Sequence, residues 1–339
     1  MRLSVLDQSV AMTGRSANAS IRETLALAQH CEALGYERFW VSEHHSHPTI
    51  VGSAPEVLMA AIAATTQRIR IGSAGVMLPH YSALKVAEQF RVLEALAPGR
   101  IDLGVGRAPG SDGRTAQLLN PNARHAADDF PLQVRELQAW VGGTELPDGH
   151  PGRGVTAEPG GPGGPTLWML GSSNYGAQLA AHYGLPYAFA YFITDGQGAE
   201  EALNLYRDMY RPSPHHPKPQ PALCVWALAA DTEAEAWHHF SGRERWKIDR
   251  NRGALGPLQS PAEVSLRPYS PAEQMQVDQL RRTALVGSGL QVAEKLRALS
   301  AALDVEELVV ITWTHEPAAR RRSYELLAAQ FCAAPGALI

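Results

Sequence analysis

The chain has 339 residues, 45% of them hydrophobic and 19% charged, with a formal net charge of −4. That is enough apolar material for a large core, and it gives no broad positive field of the kind a nucleic-acid-binding protein uses. No apolar run reaches the roughly 18 residues of a membrane span, no basic-then-apolar leader is visible, and the three cysteines are far apart with no CxxC or zinc spacing; the expectation is a cytoplasmic protein with buried, unpaired thiols.

In chain order, Leu3 to Leu6 predicts a first strand, and Asn18 or Ser20 predicts the cap of a helix from Ile21 to Leu34 that Gly35 ends. Arg38 to Ser42 (RFWVS) predicts the second strand, with Glu43-His44-His45-Ser46-His47 at its exit. This cluster has three readings: a polar capping loop, a metal site, or acid–base chemistry near neutral pH. The metal reading is the weaker functional one, because adjacent residues leaving a strand point to opposite faces. Pro55 to Thr66 predicts a helix, and Arg70 to Val76 alternates as a strand. From Ser82 to Leu96, apolar residues recur at helical spacing (Leu84, Ala87, Phe90, Leu93) until Pro98-Gly99 stops the helix; Ile101 to Val105 is the next strand. Strand, helix and strand make one βαβ unit, so these strands are expected to be parallel. Small residues crowd both strand exits, Ser73-Ala74-Gly75 and Gly104-Val105-Gly106, where they would let a flat ligand approach the backbone. Arg107 adds a fixed charge for a phosphate or carboxylate. The glycines 104, 106 and 110 have the wrong spacing for a dinucleotide fingerprint.

Asp112 to Arg124 reads as loop, and His125 to Val141 as a helix. Gly142 to Pro165 is dense in glycine and proline and predicts a surface excursion. After a fifth strand, Thr166 to Leu170, the run Gly171-Ser172-Ser173-Asn174-Tyr175-Gly176 opens a helix. Backbone N–H groups at a helix start, with hydroxyls beside them, suit an anion. Tyr187 to Ala190 is the sixth strand, followed by Tyr191, Phe192 and Ile193 as pocket wall or core. A helix from Gly198 to Tyr210 and a proline-rich connection from Arg211 to Pro221 lead to the seventh strand, Ala222 to Ala229. The helix after it is expected to end near Ser241. Gly242 to Gly289 then reads as an insertion whose basic run (Arg243, Arg245, Lys247, Arg250, Arg252) is a solvated face or, as the second reading, meets a flavin or substrate phosphate, with one helix from Pro271 to Arg282 and a second phosphate candidate at Gly287-Ser288-Gly289. Leu308 to Thr312 is the eighth strand, and Ala318 to Cys332 the closing helix. Eight strands with intervening helices predict an α/β fold, a (β/α)8 TIM barrel of one domain over residues 1–339, against a doubly wound sheet as rival.

The stretch AGVMLPHYSALKVAEQFRVLEALAPGRIDLGVGRAPG, together with Glu43-His44-His45 upstream and Gly171-Ser172-Ser173 downstream, resembles the bacterial luciferase-like flavin monooxygenases. The resemblance implies a (β/α)8 barrel that binds FMN. Reduced FMN would come from a separate NAD(P)H-dependent flavin reductase and work with O2 on a small organic substrate. It implies a catalytic His44 handling protons over the flavin, ring support from Ala74 and Gly75, and phosphate contacts from Arg107, Gly171, Ser172, Ser173 and Tyr175, with no metal. It also implies a cis peptide between Ser73 and Ala74, a lid within residues 242–289, and a homodimer packed through the helices at Pro55 to Thr66 and Ser82 to Leu96. Three alternatives stay open: a deazaflavin F420 enzyme of the same fold, a non-catalytic flavin-binding protein, and a metal hydrolase using His44, His45 and His47. No membrane or nucleic-acid partner is expected.

Overall fold

The computed structural model describes residues 1–332. Ten strands form one sheet: β1 (Arg2–Asp7), β2 (Arg38–Val41), β3 (Arg70–Ser73), β4 (Val76–Met77), β5 (Ile101–Gly106), β6 (Thr166–Gly171), β7 (Tyr187–Phe189), β8 (Pro221–Ala230), β9 (Leu285–Ser288) and β10 (Glu307–Ile311). The order is β10-β1-β2-β3-β5-β6-β7-β8, and β8 pairs back onto β10, so eight strands close into a parallel barrel. β4 prolongs the β3 position along β5, and β9 lies outside the ring against the far half of β8. The fold is a (β/α)8 TIM barrel; closure through β8 and β10 rules out the doubly wound alternative.

Strand alternation sorts side chains into two cores. One parity (Leu3, Val5, Phe39, Ile71, Leu103, Leu308, Val310) packs outward against the helices. The other (Leu6, Trp40, Trp168, Ala188, Ala222, Cys224, Val309, Ile311) fills the barrel. Both faces are buried, which is why the strands read as nearly continuous apolar runs. Inside, bulky and small residues are matched across neighbours. Gly72 sits beside Trp40, where a Cβ would fall 2.6 Å from the indole, and a Cβ on Gly104 would fall 2.1 Å from the carbonyl oxygen of Ser73. Close strand packing, not phosphate binding, therefore accounts for Gly104. At the amino-terminal end of the barrel Asp102 accepts from Arg38 (2.9 Å), Arg70 (2.6 Å) and Trp40 (3.0 Å), while Glu307 accepts from Arg38 (2.7 Å) and Ser4 (2.7 Å). This polar plug closes the bottom; the top stays open.

The helices differ from expectation in several places, including short helices at Ala123–Ala126 and Pro261–Ser265. The first, Ala17–Ala33, is capped by Ser16, whose hydroxyl accepts from the N–H of Ala19. A short helix, Gly113–Leu119, capped by Asp112, stands where loop was expected, and the following long helix begins at Phe130 instead of His125. The helix after β8 runs Glu233–Asn251, ten residues past Ser241, and buries Arg243, Arg245 and Trp246. The basic run is thus only partly a solvated face: Arg250 and Arg252 are exposed, but Arg245 pairs with Glu273 at 3.2 Å, and Arg243 lies 3.2 Å from the Trp226 ring centroid. The Gly/Pro-rich excursion is irregular as expected, and buried Arg91 holds it through carbonyls of Pro159, Gly161 and Gly163. The cysteines are free, Cys31 and Cys224 buried and Cys332 half-buried. Among the described residues no helix is long and apolar enough to cross a membrane.

Candidate functional site

A cavity of about 410 Å³ opens at the carboxyl ends of the strands. This is the end where (β/α)8 barrels place their sites, and the volume suits a small ligand. Its lining includes His44, Ala74, Gly75, Arg107, Gly171, Ser172, Ser173 and Tyr175, so the eight residues singled out from sequence meet around one space although they come from four separate strand exits.

His44 follows β2, with its N–H bonded to the carbonyl of Gly52 at 3.0 Å. Its Nδ1 is buried without a hydrogen-bond partner. Burial first, then the neighbouring His47 and His45, pull its pKa down to about 4, so the imidazole is neutral at neutral pH. Its neighbours have other tasks. His45 bonds the buried carboxylate of Glu43 at 2.7 Å; Glu43 also accepts from the Tyr81 hydroxyl (2.6 Å) and the Met77 N–H (3.1 Å), tying the β2 exit to β4. Burial and that carboxylate hold the Tyr81 phenol well above its usual range. His47 accepts the N–H groups of Thr49 (3.1 Å) and Ile50 (3.0 Å) on Nδ1, so its proton sits on Nε2. Among the described residues no three His, Cys, Asp or Glu side chains converge on a metal position.

Ala74 and Gly75 leave β3. The N–H of Ala74 bonds the Val41 carbonyl at 2.7 Å, and Gly75 turns the chain with φ +100°, a value that favours glycine. The bond between Ser73 and Ala74 is trans, against expectation; the only cis bond among the described residues is Glu158–Pro159. The turn is made by the positive φ of Gly75, while the Ser73 hydroxyl ties both backbone groups of Gly104 across the seam (2.8 and 3.0 Å).

Arg107 projects beyond β5 and stacks on Tyr175, its guanidinium carbon 4.1 Å from the ring centroid. Tyr175 belongs to the helix Asn174–Tyr183, which starts directly after Gly171, Ser172 and Ser173; Ser173 holds the cap position in extended geometry but makes no side-chain cap bond. The first N–H groups of this helix and the serine hydroxyls therefore remain available. Gly171 and Gly176 bring helix and strand together, their α-carbon environments within 3.7 Å of each other on addition of a Cβ. By contrast, the candidate at Gly287-Ser288-Gly289 is closed by its own capping box, with Ser288 accepting from the N–H of Gln291 and the Gln291 side chain accepting from that of Ser288, and it does not line the cavity.

Phe192 and Ile193 line the cavity, as one of the two readings of that segment expects, and the cavity also has residues that pattern does not point to. Trp226, Trp246 and Trp313 lie together with Phe192, and Gln8, Ser42 and Arg250 also line the space. Buried polar atoms without partners, Gln8 Oε1, Ser42 Oγ, Trp226 Nε1 and Trp313 Nε1, belong to this lining. The available signal was parity: Ala222, Cys224 and Trp226 alternate inward along β8. Trp246 carries no such signal, because the helix that holds it has a largely polar sequence.

A closed barrel whose rim cavity combines bare backbone, hydroxyls, an arginine and a neutral histidine has the build of an enzyme for a small molecule and a phosphorylated cofactor. The chain belongs to the luciferase-like monooxygenase family, whose description matches residues 1–306. It is 44% identical over 330 residues to the uncharacterized protein YwcH of Bacillus subtilis (97% of this chain, 98% of that one), and 37% identical over 330 residues to an N-acetyl-S-alkylcysteine monooxygenase of the same organism (96% and 97%). The solved structure of apo-MsnO8 superposes with a TM-score of 0.88 at 37% identity, covering 97% of this chain and 98% of that one. A type II Baeyer–Villiger monooxygenase component in complex with FMN, from Pseudomonas putida (TM-score 0.71, 19% identity, 97% of each chain), shares the fold, as does an F420-dependent secondary alcohol dehydrogenase (TM-score 0.69, 14% identity, 96% and 97%).

Proposed function

We propose that this protein is an FMN-dependent monooxygenase that receives reduced FMN from a separate NAD(P)H-dependent reductase and uses O2 to oxidise a small organic substrate. The observation that carries the reading is the convergence of four strand exits on one cavity, between them supplying a phosphate site, a ring floor and a proton-handling histidine. Arg107, the Ser172 and Ser173 hydroxyls, Gly171 and the helix start at Asn174 would hold the phosphate, with Tyr175 fixing the guanidinium plane. Ala74 and Gly75 present little beyond backbone, a floor on which a planar ring system can lie. Gln8 Oε1 and Ser42 Oγ, buried and unpartnered, fit the polar edge of such a ring.

Reduced FMN, when bound, supplies the electrons that activate O2. The chain's own residues do the rest. His44 is neutral and its Nδ1 is free, so it can take up or hand on a proton at that atom. The tryptophan wall keeps water from the reacting edge. The helices Pro55–Thr65 and Ala83–Leu96 pack on each other and leave Val57, Val92 and Leu96 exposed, which supports a homodimer through this face. The family setting supports a cytoplasmic location and a single barrel domain in which residues 242–289 cover the site.

The test is a titration of the purified protein with oxidised FMN, reduced FMN and F420, followed by O2 consumption in the presence of a flavin reductase. Preferential binding of reduced FMN and reductase-dependent O2 uptake are expected. Tight F420 binding with no uptake would assign the site to hydride transfer, and flavin binding without uptake would make the protein a flavin carrier.

A further inference from the structure

The rim of the cavity away from Arg107 is built differently. Arg107 follows β5; Trp226 lies on β8, three strands round the ring, and Trp246 and Arg250 lie on the helix that follows it. Trp226, Trp246 and Trp313 meet edge to face, with ring centroids 4.8, 5.1 and 6.0 Å apart. Such a box suits an apolar group or an organic cation.

The surrounding charges decide between the two. Arg250 lines the cavity, 5.7 Å from the Trp246 ring centroid, and no Asp or Glu does; Arg243 stacks on Trp226 outside this lining, in a neighbouring crevice with Asp195. A cation entering the box would meet the Arg250 guanidinium and no carboxylate in the lining. An anion would meet the opposite. Lys247 and Asp249, on the same helix, are paired with Asp195 and Arg267, whereas the Arg250 side chain has no ion pair among the described residues. It faces the cavity beside His47, whose two backbone bonds put its proton on Nε2. The helix is held over the mouth by the Trp246 indole N–H, which donates to the Thr49 hydroxyl at 2.9 Å, so Arg250 and the loop carrying His47 are fixed relative to each other.

We infer that the substrate is a small organic acid, its carboxylate held by Arg250 and the Nε2–H of His47 and its apolar body enclosed by Trp226, Trp246 and Trp313. This rests on the reading of the cavity as a monooxygenase site and gives that site a substrate class. It also separates two anion positions: the cofactor phosphate near Arg107 and the substrate carboxylate near Arg250.

Isothermal titration of the cofactor-free protein tests it, using three acids (3-phenylpropionate, hexanoate and 4-(methylthio)butanoate), each against its neutral amide. At least one acid is expected to bind at least about tenfold more tightly than its amide, in keeping with one charge-assisted contact. Arg250→Met, at an exposed position, should erase that preference, and Arg107→Ala should leave it in place. The inference is overturned if no acid binds, if the amides bind as well, if the preference survives Arg250→Met, or if it is lost in Arg107→Ala. FMN titration of the same samples separates the two ideas. FMN binding without acid preference defeats the substrate assignment alone, whereas acid preference without FMN binding defeats the cofactor reading.

Discussion

His44 carries a measurable signature of its surroundings. An ordinary histidine takes up a proton near pH 6.5; this one does so at about 4 in the folded chain. In the unfolded chain it is protonated as pH falls through about 6.5, while the folded form stays neutral, so protonation favours unfolding over that window and stability is lost as pH drops from about 6.5 toward 4. His47 is displaced in the same direction by burial and Arg250, so the two add. His44→Gln should flatten the fall of the melting temperature between pH 7 and 5 without abolishing it; thermal melts at pH 7, 6 and 5 read this directly. The same variant should keep FMN affinity and lose turnover, and full turnover would remove the imidazole from the chemistry. Arg107 is the complementary case. It is exposed and its contact is with Tyr175, so Arg107→Ala should alter stability by less than about 0.5 kcal/mol. FMN binding should weaken roughly tenfold to a hundredfold, the effect of one charged contact on a phosphate. The positions of both residues were legible because strands ended where β-branched runs gave way to small or polar residues, and in parallel barrels such exits share one rim. The partner of Arg107 was not legible: that Tyr175, far along the chain, lies under its guanidinium depends on β5 and β6 being neighbours in the ring.

At the level of elements, the helix that runs past its expected end and the excursion that is irregular as expected share one device. Both Glu233–Asn251 and the run from Gly142 to Pro165 are organised by arginines that pattern alone assigns to solvent. Arg243 and Arg245 are each 3% exposed on a helix whose polar sequence masks its apolar stripe of Ala236, Phe240 and Trp246. They are buried because an indole face and Glu273 receive them. In the glycine-rich run the organiser is Arg91, 5% exposed, on the helix Ala83–Leu96. Its guanidinium donates to the carbonyls of Val141, Pro159, Gly161 and Gly163 at 2.8–3.1 Å, satisfying backbone groups that no strand or helix pairs. Arg91→Met keeps the length of the side chain and removes every donor. The expected result is a loss of about 1–3 kcal/mol, with faster hydrogen exchange and protease cleavage confined to residues 142–165. An unchanged exchange pattern there would show that the excursion holds itself.

Across the whole molecule, the barrel divides its labour between its ends. The carboxyl rim carries unpartnered polar atoms, while the amino end is filled by a polar cluster in which the charges are paired: Arg38 bridges Asp102 and Glu307, and Asp102 also takes Arg70 and the Trp40 indole. Six of the eight ring strands are joined by this cluster: β2, β3, β5, β1 through Ser4, β6 through Thr166, and β10, which completes closure by pairing with both β1 and β8. The closed ring was legible from the count of strands; the cluster was not, because its members are scattered over the starts of strands and pair only once the ring exists. Asp102→Asn tests the division. The side chain keeps its shape, but two arginines lose a counter-charge at a fully buried position, and the new amide N–H₂ faces donors. Breaking a buried pair by removing one partner costs about 3–5 kcal/mol, so the midpoint of urea unfolding should fall sharply. Because the cluster lies at the opposite end from the cavity, the folded fraction should bind FMN with wild-type affinity. A fall in affinity that matched the fall in stability would mean that the two ends are mechanically coupled through Trp40 and Trp168, whose rings meet edge to face 5.1 Å apart inside the barrel.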